Sequence, residues 1–519
     1  MQQNLKYYLL LILMVNQTQA QENLHYFAGD PRDLLSLEQA RFDDTTATQV
    51  LDIRPFLSSW PDQGIDIRTY GQSFYYYNDN APNLENTGEI WVGKGSTFFS
   101  SFHLSVSHRN FYLSIEPYYQ YSSNQPFTFY HISYDPDKVG ELERKFHVLN
   151  DGPGRGDGSV NELKFRESQL YLHWKGLGGG VSNSGMWWGP GFHTSLNMTT
   201  NTTGIPRLVL GTLKEQRFRQ LGITGQYVFA KLKENITEPY FTAIFGSLTY
   251  YSDPIITLGG SRTFLSGGNL VENSIAWKDA ALMPFQPFRK EKLYDPETGE
   301  NASDRTDQTL SLFLSMLFPE SRLKIFLEYG WNDHRWDWYD LRAEPDHSGA
   351  SVFGFRKYGL FGHPDLIIGF EYANLMKSPY YPQRGTPDWY GRKFFDFSVY
   401  DGRRYAAHSG SDSDDMLLYA GYSKANSGLT LAFNYERHGK MYSNLLLEYS
   451  GAGRFPEDKL ELRLDYWQNT GYGKLYAYYE YEFTENLGSP PQGVFPRVEN
   501  PERKSNVIGL GFQSNIISF

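Results

Sequence analysis

The sequence predicts an all-β chain closed into a transmembrane antiparallel β-barrel, and three observations lead there. Aromatic residues make up 17% of the 519 residues, yet mean hydropathy is only −0.52. Short segments alternate apolar and polar residues with period two along the whole chain. The chain opens on an export signal but holds no cysteine. A barrel reconciles these facts, because only every second residue of a strand meets lipid and the average stays polar. A soluble β-sandwich alternates too, so alternation by itself leaves that fold open.

The first segment, "MQQNLKYYLLLILMVNQTQA", places Lys6 before an apolar run from about Tyr7 to Val15, and Thr18 and Ala20 fit the small-residue cleavage rule. The run is too short to cross a bilayer. Residues 1–20 are therefore expected to be a signal peptide, and 21–519 a single barrel domain with a short plug segment. Without cysteine there is no disulfide, thiolate metal site, Cys nucleophile or lipid-anchoring Cys. A net charge of −11 argues against nucleic acid as a partner, since that needs basic stripes.

Next, "PRDLLSLEQARFDD" (31–44) reads as a short helix. Leu34, Leu37 and Arg41 keep helical spacing, and Asp33 lies in the first turn. It is expected to plug the lumen or to sit on the periplasmic side.

Strands follow. In "FHLSVS", Phe102, Leu104 and Val106 alternate with His103, Ser105 and Ser107. After a turn at Arg109-Asn110, Phe111, Leu113 and Ile115 oppose Tyr112, Ser114 and Glu116. The same pattern runs through "LSLFLSM" (310–316), "LKIFLEY" (323–329), "LTLAFNY" (429–435) and "LELRLDY" (460–466), with "LYAYYEYEF" continuing after a turn at Gly471–Gly473. Tyr329, Tyr435, Tyr449 and Tyr466 close apolar faces, which suits an interfacial aromatic girdle. The last strand, "NVIGLGFQSNIISF", ends on Phe519. Ile508, Leu510, Phe512 and Ile516 share one parity while Ile517 and Phe519 take the other, so a bulge is expected near Ser514. Polar stretches at 133–162, 288–308 and 380–415 read as long loops, paired with short turns at the other end.

Enzyme signatures are missing: there is no GxSxG, Walker loop or HExxH. "GLGGG" (176–180) has no helix pattern after it, as a phosphate loop requires, and reads as a flexible or close-packed strand. "DGPGRGDGSVNE" (151–162) resembles a calcium loop at Gly156 and Glu162. However, Pro153 and Arg155 stand where ligands belong, so a solvated loop is the better reading. Glu328, Asp333, Asp337 and Asp340 with Trp331, Trp336 and Trp338 could form a sugar-hydrolysing cleft or, more simply, a charged lumen wall. No cofactor and no metal is expected.

The segment "GMWWGPGFHTSLNMTT" (185–200) sets two tryptophans against a Gly-Pro-Gly turn and a hydroxyl- and amide-rich run that extends to Thr203. Trp faces stack on sugar rings, and Asn, Thr and His bond hydroxyls. A rigid corner locked by Pro190 is the competing reading.

The stretch "MWWGPGFHTSLNMTTNTTGIPRLVLGT" (186–212) resembles the recognisable motif of the Wzi-type capsule assembly proteins: Trp187 to Gly191, Ser195 and Leu196, Asn201, Pro206, and Gly211-Thr212. A second block, 326–357, is similar to Bacteroidetes members of that family at Glu328, Asn332, Asp333, Glu344, Pro345, His347 and Ser348, whereas 380–415 departs from their pattern. The resemblance implies a barrel of about eighteen strands, a helical plug, and a lectin-like, non-catalytic role in holding capsular or extracellular polysaccharide at the outer membrane. It implies a monomer among outer-membrane lipid and lipopolysaccharide. Glycan-binding or motif residues are then expected at Trp187, Trp188, Gly189, Pro190, Gly191, His193, Ser195, Asn197, Asn201, Glu328, Asn332, Asp333, Glu344 and His347. A solute channel and a glycan-processing enzyme are the rival functions.

Overall fold

The computed structural model describes residues 34–35, 38–39, 42, 52–54, 64–126, 158–233, 238–268, 275–288, 306–332, 342, 347–376, 378, 389–390, 398–424, 426–439, 456–486 and 502–519. Residues 1–20, expected to be a signal peptide, lie outside them. Eighteen antiparallel staves close into one barrel. They are β1 Ile65–Asn78, β2 Gly95–His108, β3 Phe111–Ser122, β4 Val160–Trp174, β5 Leu177–Ser182, β6 Arg207–Thr212 (continued by Gln216–Phe218), β7 Leu221–Lys231, β8 Tyr240–Tyr250 and β9 Ile255–Ser266. The second half comprises β10 Thr306–Phe318, β11 Leu323–Asn332, β12 Gly349–Leu360, β13 His363–Asn374, β14 Ser413–Lys424, β15 Ser427–His438, β16 Glu457–Asn469, β17 Gly473–Glu485 and β18 Arg503–Ser514.

The faces are inverted relative to a soluble protein. Leu312 on β10 and Leu327 on β11 are 51% and 47% exposed, while Ser311, on the opposite face of β10, and Glu328, next to Leu327, are both at 0%. The sandwich alternative fails on this point, because a sandwich buries its apolar face. An outward belt that includes Leu418, Leu431, Leu462, Leu464 and Leu510 is bordered by two aromatic girdles. Trp174, Phe218, Tyr466 and Tyr472 stand near the short-turn end, and Tyr75, Tyr77, Phe98 and Tyr121 near the long-loop end. The expected turns at 109–110 and 471–473 both lie at the short-turn end, which is periplasmic by the usual rule for such barrels.

The barrel closes where β18 pairs with β1. The register runs from Asn78↔Val507 to Gln72↔Gln513, then slips by one residue to Thr69↔Ile517 and Arg68↔Ser518. That slip is the bulge expected near Ser514, whose hydroxyl accepts from Gly71 N at 2.9 Å. "GLGGG" forms β5 and is close-packed. A Cβ at Gly178 or Gly180 would stand 2.0 or 1.8 Å from a carbonyl oxygen of β4.

Two features position the interior. Leu34, Leu35, Glu38, Gln39 and Phe42 are helical, and all but Gln39 are buried, so the N-terminal helix sits in the lumen. Leu37 and Arg41 lie outside the described residues. A second short helix, Trp277–Ala281, was not foreseen. It packs through Ala280, together with Met283 of the 3-10 turn that follows, on Phe264, Phe229 and Tyr240. Those residues alternate with Val228, Ala230, Phe241 and Leu265 of the inner core, so this helix covers the outer wall.

Candidate functional site

The Trp-Trp-Gly-Pro-Gly segment belongs to the connection between β5 and β6, residues 183–206, which turns inward and fills part of the lumen. Trp187–Trp188 pairs antiparallel with Ile53–Arg54 of the N-terminal segment. Trp188 stacks on Phe245 of β8 with ring centroids 4.3 Å apart, and the Arg54 guanidinium lies 4.3 Å over the Trp187 ring. Both indoles are buried. Their large apolar area and one cation–π contact weld the plug to the wall.

Two wall carboxylates hold the turn that follows. Glu371 on β13 accepts from the backbone N–H groups of Phe192 (2.7 Å), His193 (3.2 Å) and Thr194 (2.7 Å). Glu328 on β11 accepts from Leu196 N at 3.2 Å, from Ser195 Oγ at 3.4 Å and from Ser311 Oγ. Arg356 of β12 donates to Pro190 O at 3.0 Å. The glycines are required by this approach. A Cβ on Gly189 would stand 2.6 Å from Glu328 Oε2, and one on Gly191 would stand 2.0 Å from Thr194 O. Gly191→Ala is therefore expected to cost about 1–3 kcal/mol by overpacking. It should appear as faster proteolysis within 183–206 while the barrel itself stays folded.

The hydroxyl- and amide-rich run is engaged mainly with other inward segments. Asn197 donates to Ser261 Oγ on β9 at 2.9 Å. Asn201 accepts from Asn86 N (3.0 Å) and donates to Arg404 O (3.2 Å). Thr199 donates to Ala406 O, and Ser195 to Trp188 O. Asn332, at the end of β11, donates to Trp389 O at 2.6 Å, and His347 is buried just before β12. The described part of the family-divergent region, notably Tyr390 and Tyr405 to Ser409, thus packs directly onto the motif. Asp333, Glu344, Asp337, Asp340, Trp336 and Trp338 lie outside the described residues. Of the proposed sugar-hydrolysing set only Glu328 and Trp331 are described, and Glu328 is committed to the loop.

Beneath this, the plug is held by charge. Glu38 receives Arg356 Nε at 2.8 Å and Lys324 Nζ at 3.1 Å, and Lys324 also reaches Asp52 at 2.6 Å. Burial alone would raise the Glu38 pKa, but Arg356 and Lys324 outweigh it and hold it at about 2. Asp52, equally buried, is likewise lowered by Lys324. For carboxylates whose folded pKa is depressed, the stabilisation is complete above the unfolded value, near 4.5 for Glu, and is lost as pH falls towards about 2. The plug contact is thus expected to lose about 3 kcal/mol between pH 5 and 2. Pepsin nicking of residues 34–54 across that range measures it, and a flat profile would contradict the assignment.

Between plug and loops lies a cavity of about 250 Å³ lined by aromatic and polar groups, among them Tyr76, Phe192, His193, Asn434, Arg463 and Tyr478. Arg463 forks onto Asp465 (2.9 and 3.0 Å), reaches Glu480 at 3.1 Å, and lies 4.0 Å over the Tyr478 ring. Sequence reasoning named His193 here but missed Glu371, Glu38, Asp52, Arg463 and Tyr478. Glu371, Arg463 and Tyr478 stand on the inward parity of their strands and Glu38 on a helix, a signal shared with many lumen-facing positions, and Asp52 lies in a turn with no pattern around it.

Fold and interior together define a transmembrane barrel of the outer-membrane type whose lumen is occupied by its own plug and loops. Residues 79–488 match the family model "Capsule assembly protein Wzi", and the chain belongs to that family. The fold is similar to Wzi of Escherichia coli, an outer-membrane protein involved in group 1 capsule assembly and described as a carbohydrate-binding β-barrel. That similarity has a TM-score of 0.57 at 11% identity and covers 93% of this chain and 98% of that one. OccK7 of Pseudomonas aeruginosa aligns at a TM-score of 0.41 and 9% identity, over 88% of this chain and 99% of that one. No curated protein sequence matches.

Proposed function

We propose that this protein is an outer-membrane, lectin-like barrel that binds capsular or extracellular polysaccharide and assists its assembly and attachment at the cell surface. It works by binding, without turnover. One observation carries the reading: a transmembrane barrel of the capsule-assembly family keeps a cavity of stackable rings and hydrogen-bonding groups beside its inward-folded loops. Family membership supports polysaccharide as the partner, and the commitment of Glu328 and Glu371 to backbone amides speaks for a scaffold role for these carboxylates. The protein is a monomer, with lipid and lipopolysaccharide against its belt and its outer-wall helix.

Surface retention of capsule in a deletion strain tests this. Capsule that stays attached and normally organised without the protein would sink the reading. Within the protein, Tyr478→Ala is expected to weaken binding of purified capsular glycan roughly tenfold by removing one stacking face. Unchanged affinity would move the contact out of the cavity. The channel alternative separates in planar bilayers, where the plugged barrel should give no steady open conductance.

A further inference from the structure

We infer that the lumen holds a divalent transition-metal site formed by His193, His408, Glu85, Asp415 and Glu436. Glu85 comes from the loop between β1 and β2, His193 from the β5–β6 loop, His408 from the segment before β14, Asp415 from β14, and Glu436 from β15. Potential ligand atoms of Glu85, His193, His408 and Glu436 all lie within 4.8 Å of one another. His408 Nε2 is 3.2 Å from Glu436 Oε1, 3.3 Å from Asp415 Oδ2 and 3.7 Å from Glu85 Oε2. His193 Nε2 is 3.2 Å from the same Asp415 Oδ2. Donors about 2.1 Å from one zinc stand roughly 3–4 Å apart, so these separations suit a shell of four or five donors drawn from this set.

Charge supports the same conclusion. Three carboxylates meet here, and Lys459, which touches Glu85 and lies 3.5 Å from Glu436, is shared with a fourth, Glu461, at 2.8 Å. With neutral imidazoles the cluster stays net negative, which suits a divalent cation. Asp415 is 2% exposed, and its Oδ1 has no hydrogen-bond partner. A second layer is also present: His438 bonds Glu436 Oε2 through Nε2 at 3.0 Å and Glu457 Oε1 through Nδ1 at 3.2 Å, the arrangement that fixes a ligating carboxylate. Imidazole and carboxylate donors without thiolate favour zinc or its first-row neighbours over calcium or magnesium. His193 and Glu85 also line the cavity. Such an ion would pin three inward segments to the wall at one point.

The test uses the full-length protein in detergent, stripped with chelator, reloaded with zinc chloride alone and dialysed. One zinc per chain by mass spectrometry is expected, and cobalt in its place should give a visible absorption band. Less than about a tenth of an ion per chain in the wild type would overturn the proposal. The His193→Gln/His408→Gln double variant should lose the metal and the band, while His103→Gln, on β2 and outside the cluster, keeps both. Retention by the double variant also overturns it. Should the double variant misfold, His438→Gln leaves all five ligands in place and is expected to lower zinc affinity on the order of 10–100-fold. An unchanged affinity there counts against the site.

Discussion

Glu38→Ala is expected to free the plug while the barrel persists. The substitution removes the carboxylate that neutralises Arg356 and shares Lys324, and Arg356 is among the most deeply buried side chains. Breaking a buried pair from one side leaves an uncompensated charge and costs about 3–5 kcal/mol, more than the pair contributes relative to an apolar replacement. The loss is local, because the eighteen-stave ladder does not depend on it. Heat-modifiable migration on gels should therefore remain normal, while protease reaches residues 34–54 and planar bilayers show new conductance. The double change Glu38→Met/Arg356→Met removes both charges at similar volume and should restore most of the lost protection. If Glu38→Ala leaves protection and conductance unchanged, the plug is held by something else.

Glu371→Ala is the second large effect. Three consecutive backbone N–H groups, those of Phe192, His193 and Thr194, point at one carboxylate. Two of these residues are only partly buried, yet the carboxylate itself is 2% exposed. Each buried donor left without an acceptor costs about 1–3 kcal/mol, so a total near 3 kcal/mol or more is expected. The β5–β6 loop should then rearrange, seen as proteolysis between 187 and 205 and as lost order in hydrogen exchange. Glu371→Gln keeps one acceptor oxygen and should recover part of the protection. Equal behaviour of the two variants would show that accepting these N–H bonds is not what Glu371 does.

The wall was readable from sequence because a membrane forces one rule on every strand. Leu460, Leu462 and Leu464 must face lipid, so Glu461, Arg463 and Asp465 must face in, and the alternation is visible without any tertiary knowledge. The closing bulge was readable for the same reason, since a parity change has one geometric meaning. The short N-terminal helix, described at 34–35, 38–39 and 42, was readable from its spacing, although its place in the lumen was not. What the interior does with its polar residues was hidden. Glu371 looks like any lumen-facing glutamate until the loop turns back onto it, and five ligands from five separate elements leave no spacing to find. The tryptophan pair illustrates the limit. Its composition fits stacking on sugar and locking a corner equally well, and only the Arg54 and Phe245 contacts show both rings packed inside the protein. The outer-wall helix at 277–281 escaped notice because five residues carry too little periodicity.

The seam between β1 and β18 also constrains how the molecule is made. Gly71 and Ser514 meet across 443 residues of chain, and Glu38 meets Arg356 across 318. Such separations make loop closure slow and place it late in folding. The helix that carries Glu38 precedes the first stave, yet it ends up enclosed by the wall that the last stave completes. Contact of the N-terminal segment with β11 and β12 needs only the middle of the sheet, whereas edge-to-edge joining needs both ends of the chain. Until that joining, two unpaired strand edges remain open to any neighbouring chain.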